Sequence, residues 1–405
     1  MITKISLQGF KSIKNIEDLE LGLINVFIGA NGSGKSNILE AVGMLSAAAE
    51  GYVDAKHLLE RGVRHSVPAL YKTSLKGTYQ PFIVLKAYGN QDGTETIYEV
   101  KLNNSVETPE DAWNYEHELF LLDNIKIIDR KHISKISGPS GLKNFLLEFD
   151  KNKNMGILGS FDGFKKITIL NNYKIFMPTT PVLRGLQPDI VPIEPVGLLG
   201  GRLAEAVEDI LDLENEAIGS LDLDEVLDLL DWVDEFDITG PSRELLSPNV
   251  PSLRSVVRFK DYWMDKKRNQ LSGYDASEGA LYVLFMLVLA LHPRTPKFFA
   301  VDNFDQAMNP RLVRALTRLF CKIIIESDPP RQAMLTTHNP MVLDGLDLRD
   351  DRIRLFAVER NHSTGGATRA SRVILSDKIL ESGEKGTPLS MMWVTGLLGG
   401  VPDIF

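Results

Sequence analysis

The octapeptide Gly29-Ala30-Asn31-Gly32-Ser33-Gly34-Lys35-Ser36 constrains this chain more than any other stretch. It matches G-x-x-x-x-G-K-[ST] at every specified position, and each position has a physical duty. The glycines let successive backbone N–H groups curl around phosphate oxygens. Lys35 reaches the β and γ oxygens, and the Ser36 hydroxyl is offered to Mg2+. The context is the one the motif requires. Residues 23–28 form an apolar run of strand length, and after Gly34 the residues Ile38, Leu39, Val42 and Leu45 recur on one helical face. The loop therefore joins a strand to a helix whose N-terminus favours anions.

Such a loop works with a carboxylate at the end of a neighbouring strand, which holds the hydrated metal ion. Asp302 fits, because it follows the buried-strand sequence Phe298-Phe299-Ala300-Val301. An aspartate that merely ends a strand and caps a turn is the plainer alternative. Lys35 and Asp302 are 267 residues apart, so one site is assembled from both ends of the chain, with the middle inserted as a lobe.

The 405 residues suit two or three structural units, and 43% apolar with 24% charged residues is ordinary for a chain that buries a core. The single cysteine, Cys321, excludes an internal disulfide framework. The longest apolar run, residues 280–291, is too short to span a bilayer. No basic-then-apolar signal pattern opens the chain, so a cytoplasmic protein without a membrane partner is expected.

Four segments follow from the pattern. Residues 1–50 read as strand, turn, strand, phosphate loop and helix. Residues 51–200 carry short β-rich runs with a hairpin turn at Asn90-Gln91-Asp92-Gly93, and end in a passage broken by five prolines between 178 and 201. This is expected to be an antiparallel lobe. Residues 201–253 hold a leucine-rich acidic stretch, 204–237, expected to form one or two amphipathic helices ended by Pro241, Pro248 and Pro251. Residues 254–405 alternate helix and strand, with strands at 298–301, 333–336, 353–358 and 372–375 and cap-then-proline starts at Asn309-Pro310 and Asn339-Pro340. That alternation predicts a largely parallel sheet flanked by helices.

Together these features resemble the ABC-type ATPase heads of the SMC, RecF and overcoming-lysogenisation-defect proteins, over the first 50 residues and about residues 270–340. The resemblance implies an α/β P-loop head, a mixed sheet with flanking helices, with the antiparallel β lobe and the acidic helical insertion added to it. It implies ATP and Mg2+ as cofactors, held by Gly29, Asn31, Gly32, Ser33, Gly34, Lys35 and Ser36, with Asp302 as the second metal-holding side chain. Gly9-Phe10-Lys11-Ser12-Ile13 looks like the SMC-type opening, in which Lys11 approaches the nucleotide. Ser277-Glu278-Gly279 stands 23 residues before Asp302 and matches the signature position counted from Gly279, where Ser277 and Gly279 would bind the γ-phosphate held by a second subunit. Leu271-Ser272-Gly273 looks similar but does not start the apolar helix. Gln306-Ala307-Met308-Asn309-Pro310 resembles the loop that crosses a dimer interface. Thr336-Thr337-His338-Asn339-Pro340 resembles the switch loop, with His338 on the γ-phosphate; a satisfied core histidine is the alternative. Gln80 has the approximate position of the Mg2+-sensing glutamine. Arg184, Glu194-Pro195-Val196-Gly197 and Gly200-Gly201 echo a loop segment of AAA-family ATPases of this ABC type, and the closing residues 393–400 look like tails of such ATPases found in two-gene phage-defence loci, although turns or core packing explain both equally.

One departure bears on catalysis. The family places a glutamate directly after the Walker B aspartate to polarise the attacking water, and here that position is Asn303. An amide cannot take up a proton as a carboxylate does, and losing a general base costs on the order of 10²–10⁴ in rate. Asp305 is the nearest carboxylate that could substitute.

Three functions compete. The first is a slow ATPase that forms an ATP-held dimer or higher oligomer and regulates a separate effector, a nuclease among the candidates, in phage defence. Its support is the 67 residues after His338, which leave no room for a nuclease domain in cis. The second is a RecF-like DNA-binding repair ATPase, and the third an ATP-locked scaffold without turnover. The net charge of −9 speaks against nucleic acid only until it is resolved along the chain. Residues 204–237 carry fourteen acids and no lysine or arginine, which leaves 45 basic and 40 acidic residues elsewhere. The acidic stretch is either a dock for a basic partner or a solvated helix face. The basic stretch Arg254, Arg258, Lys260, Lys266, Lys267 and Arg268, diluted by Asp261 and Asp265 and interleaved with Tyr262 and Trp263, is a nucleic-acid contact, a solvated face or a dock for the acidic segment.

Overall fold

The computed structural model describes residues 1–91, 93–131, 152–160, 169–212, 223–250 and 254–401. Strands β1 (Ile2–Phe10) and β2 (Ile13–Glu20) pair as a hairpin around Lys11 and Ser12, with Lys11 in the left-handed region at φ 46°. The fully buried β3 (Ile24–Ile28) leads into the phosphate loop and helix α1 (Lys35–Glu50). A short hairpin, β4 (Ser74–Leu75) with β5 (Thr78–Tyr79), precedes β6 (Ile83–Gln91), β7 (Thr94–Asn103), β8 (Asn114–Leu122) and β9 (Ile125–Asp129). These last four join the first hairpin in one antiparallel sheet of order β2-β1-β6-β7-β8-β9. The expected lobe therefore exists, but it takes in the N-terminal hairpin as well. The β6–β7 turn falls where the sequence places it, with Gln91 opposite Thr94.

A second sheet has the order β10-β14-β15-β3-β16-β17, formed by β10 (Lys174–Phe176), β14 (Phe298–Val301), β15 (Gln332–Thr337), β16 (Ile353–Asn361) and β17 (Ala367–Arg372) around β3. Its first five strands are parallel and β17 runs antiparallel to β16. The expected strand at 372–375 is displaced: β17 is a polar edge strand that ends at Arg372, and the apolar Ile374 beyond it is 70% exposed. Between the two sheets lies α1, whose buried residues Ile38, Leu39, Val42 and Leu45 share a core with Leu7, Leu85 and Val100 on one side and Phe298, Met334 and Phe356 on the other. That position buries nearly every side chain of the helix.

Helices α2 (Leu203–Leu211), α3 (Glu278–Leu291) and α4 (Pro310–Glu326) cover the opposite face of the parallel sheet. From Ala280 to Ala290, α3 is buried on all sides, which explains why its sequence is apolar without a polar stripe. Near the C-terminus, α5 (Asp377–Glu384) and α6 (Leu389–Val394) follow, and α6 is fastened by Asp344, whose oxygens accept from the Ser390 N–H at 2.9 Å and hydroxyl at 2.7 Å.

The acidic segment is only partly helical. After α2 and a short helix at Leu223–Leu227, its end is a strand, β11 (Val233–Thr239), paired antiparallel with β12 (Val256–Asp261), which pairs in turn with β13 (Gln270–Ser272). Trp232 and Phe236 pack their rings on Phe259 of β12, and that long-range contact overrides the helical spacing of the leucines. Residues 213–222 of the segment lie outside the described residues.

Candidate nucleotide-binding site

The carboxyl ends of β3, β15 and β14 lie side by side, with Val26 opposite Leu335 and Leu335 opposite Val301. That is the edge at which open α/β sheets bind ligands. The phosphate loop leaves β3 there. Gly34 caps α1 in the left-handed region at φ 107°, and a Cβ on it would lie 2.1 Å from Thr368 Oγ1. The loop is latched from behind. Thr368 Oγ1 donates to Ser33 O at 2.8 Å and is 2.7 Å from Ser12 Oγ, which accepts from Asn37 Nδ2 at 2.6 Å. The Lys35 ammonium donates to the carbonyls of Gly29 and Ala30 at 2.7 and 3.0 Å. Burial lowers its pKa, and the nearby Asp302 and Asp305 carboxylates oppose that shift. Asn31 and Gly32 are exposed at the rim, while Ser33 Oγ is buried without a hydrogen-bond partner, a cradle whose polar atoms a phosphate would satisfy.

Asp302, at the end of β14, joins the two halves of the chain. Its Oδ1 accepts from Ser36 Oγ at 3.0 Å and from the Thr336 hydroxyl, and Thr336 Oγ1 accepts from Asn303 N–H at 2.9 Å. A hydroxyl and a carboxylate oxygen at this spacing are a donor set of the hard-oxygen type that Mg2+ takes alongside phosphate oxygens. Among the described residues no group of three or more His, Cys, Asp and Glu side chains forms a separate metal cage.

Asn303 is exposed and holds φ at 60°, whereas Asp305 is buried. One Asp305 oxygen lies 3.6 Å from His338 Nε2, and the other is buried without a hydrogen-bond partner. His338 keeps about half of its side chain exposed. Its neighbour Asn339 caps a 3-10 turn, Pro340–Gly345, rather than an α-helix, whereas Asn309 caps α4 as expected.

On the other wall, the Lys11 ammonium bonds Glu40 of α1 and sits over the Phe10 and Tyr71 rings. Burial lowers its pKa, against the pull of Glu40. Glu40 also binds Arg64, and this hydrogen bond, with the field of Asp302 added, raises the pKa of a guanidinium that remains over half exposed. Ser12 and Thr336 stand in the motifs of Lys11 and His338 without a role assigned from the sequence, whereas Arg64, Glu40 and Thr368 are site residues it did not point to; for these an acid on the buried face of α1 was the one available signal. Gln80 is placed differently from the others. Its Oε1 is buried against Gly9 without a hydrogen-bond partner, so it is not bonded to Ser36 or Asp302.

Ser277 caps α3, accepting from Ala280 N–H at 3.3 Å, and Arg184 supports the preceding turn by donating to Ala276 O at 3.0 Å. Ser277 and Gly279 line a cleft of about 370 Å3 with Ala307, Asn309 and residues 229–232 of the acidic segment; the phosphate loop takes no part in it. Within one chain Ser277 and Gly279 thus share a cleft with Ala307 and Asn309 that no phosphate-loop residue lines. The closing residues return to the P-loop strand, with Gly400 beside Ala357 and Ile28 O.

No curated protein matches the sequence. Among solved structures, an SMC head bound to the C-winged helix domain of ScpA is similar with TM-score 0.52 and 15% identity, covering 92% of this chain and 98% of that one. The SMC head domain from Thermotoga maritima is similar with TM-score 0.45 and 14% identity over 92% and 99%, and RecF of the RecFOR pathway with 0.34 and 13% over 88% and 95%. Residues 24–344 match the family described as AAA domain, putative AbiEii toxin, Type IV TA system; the chain belongs to that family and carries the ABC-type ATPase head fold of the SMC proteins.

Proposed function

We propose that the chain is a cytoplasmic ATPase that binds ATP with Mg2+, closes head to head around it, turns it over slowly, and uses the ATP-held dimer to scaffold or restrain a separate effector protein in phage defence. Lys35, the loop amides and Ser33 would take the phosphates, and Ser36 and Asp302 would hold a Mg2+, which would supply charge neutralisation there. Ser277 and the N-terminus of α3 complete the site from the second copy. That no phosphate-loop residue lines the cleft holding Ser277 and Gly279 within one chain supports that division. The family's description, a putative AbiEii toxin of a Type IV TA system, supports a partner protein encoded apart from this chain.

The observation that carries slow turnover is the pair of carboxylate and amide at the end of β14. Asn303, at the family's general-base position, is an amide, while Asp305 is buried with one oxygen near His338 and the other without a partner. We assign Asp305, positioned by His338, to orient the attacking water. Steady-state phosphate release tests this. Asp305→Asn should lower the residual rate by about 10²-fold or more and Asn303→Ala by far less. A rate unchanged in Asp305→Asn contradicts the assignment.

A further inference from the structure

The turn between β12 and β13 displays a surface that the ATPase reading leaves unassigned. Residues 262–268 are all exposed, with Trp263 at 77% and Tyr262 at 65%. The chain's other three tryptophans are buried or half-buried, Trp232 against Phe259. The Tyr262 and Trp263 rings meet edge to face, centroids 5.0 Å apart, which leaves ring faces open to solvent. The turn holds them in place. Asp261 Oδ1 accepts from the N–H groups of Trp263 and Met264 at 2.7 and 3.1 Å, Asp265 Oδ1 accepts from Lys267 N–H at 3.0 Å, and Tyr262 N–H donates to Trp232 O at 2.9 Å.

The basic stretch is divided by the fold. Within β12, Arg258 and Lys260 are paired with Asp237 and Glu235 of β11. At the tip, Lys266, Lys267 and Arg268 make no ion pair among the described residues. Open aromatic faces beside cations that make no ion pair, and that outnumber the aspartates Asp261 and Asp265 of the turn by three to two, are the chemistry that holds a single strand: rings take unstacked bases and cations take phosphates. A duplex keeps its base faces covered, and an apolar protein pocket has no use for three free cations. We propose that the 262–268 turn is a binding platform for single-stranded nucleic acid. The platform is joined through β13 to the signature turn, where Ser272 Oγ donates to Asp275 at 2.8 Å just before Ser277.

The test uses the full chain, a fluorescein-labelled oligothymidylate of about 20 nucleotides, longer than one such site needs, and the corresponding duplex. The single strand is expected to bind more tightly than the duplex and to quench tryptophan emission. Three phosphate contacts give a log–log salt slope of about −2. Trp263→Ala should weaken binding about tenfold or more, while Trp263→Phe, which keeps a ring face, should stay within about threefold. Phosphate release at the parent rate in both variants separates a failure here from a failure of the ATPase reading. Equal oligonucleotide affinity in Trp263→Ala, preference for the duplex, or no binding by the parent chain overturns the proposal, the last leaving the tip to a protein partner.

Discussion

The nucleotide cleft and the β11–β13 sheet are both rich in polar side chains, yet they use them in opposite ways. In the cleft the groups are buried, or half-buried at Ser36 and Asn37, and bonded to one another in chains, Ser36 to Asp302 to Thr336 and Asn37 to Ser12 to Thr368 to Ser33. In the sheet the charges are partly exposed and paired one to one across strands, Arg258 with Asp237 and Lys260 with Glu235. The energetic weight of a polar contact depends on what its loss leaves behind. A buried group deprived of its partner costs about 1–3 kcal/mol, whereas an exposed ion pair is worth about 0–1 kcal/mol. The cleft is therefore a fixed constellation and the sheet a presented surface.

Three substitutions sharpen this contrast, in falling order. Thr336→Val keeps the shape but removes the hydroxyl that holds Asp302 and accepts from Asn303. Turnover titrated with Mg2+ should show a loss of about 10–100-fold in metal affinity or rate. Thr368→Val removes both hydrogen bonds that latch the phosphate loop, and urea unfolding should report a loss of about 1–2 kcal/mol. Asp237→Asn should cost less than about 1 kcal/mol, because the pair it breaks is partly exposed. Its pH dependence has a definite sign. The hydrogen bond from Arg258 holds the Asp237 carboxyl below its ordinary 3.8. The pair's contribution is therefore present above that value, is lost as pH falls through the lower folded-state pKa, and should be missing from the acid limb of Asp237→Asn. A cost in Asp237→Asn exceeding that of Thr368→Val would break the contrast.

The same contrast decides what was legible in the sequence. Gly29–Ser36 and Asp302 could be read because phosphate chemistry fixes residue type and local spacing together. Thr368 could not, because it reaches Ser12 across 356 positions and no local pattern encodes that meeting. The parallel sheet was legible from buried apolar runs such as Phe298–Val301, whereas β17 was misplaced because an edge strand need not be apolar. In the acidic segment the leucines suggested helix throughout, but Val233–Thr239 is set as a strand by pairing with β12, beyond three intervening prolines. Asp305 was legible as a candidate by position, and only the fold could show it buried beside His338.

In the proposed dimer ATP joins two copies through the P-loop of one and Ser277 of the other. Mass measured in solution with and without Mg-ATP tests it on the parent chain, Lys35→Ala and Ser277→Arg. An ATP-dependent doubling of mass is expected in the parent and in neither variant, while Ser277→Arg still binds ATP as a monomer. A parent mass that ignores ATP, or an ATP-dependent dimer that survives Ser277→Arg, contradicts it.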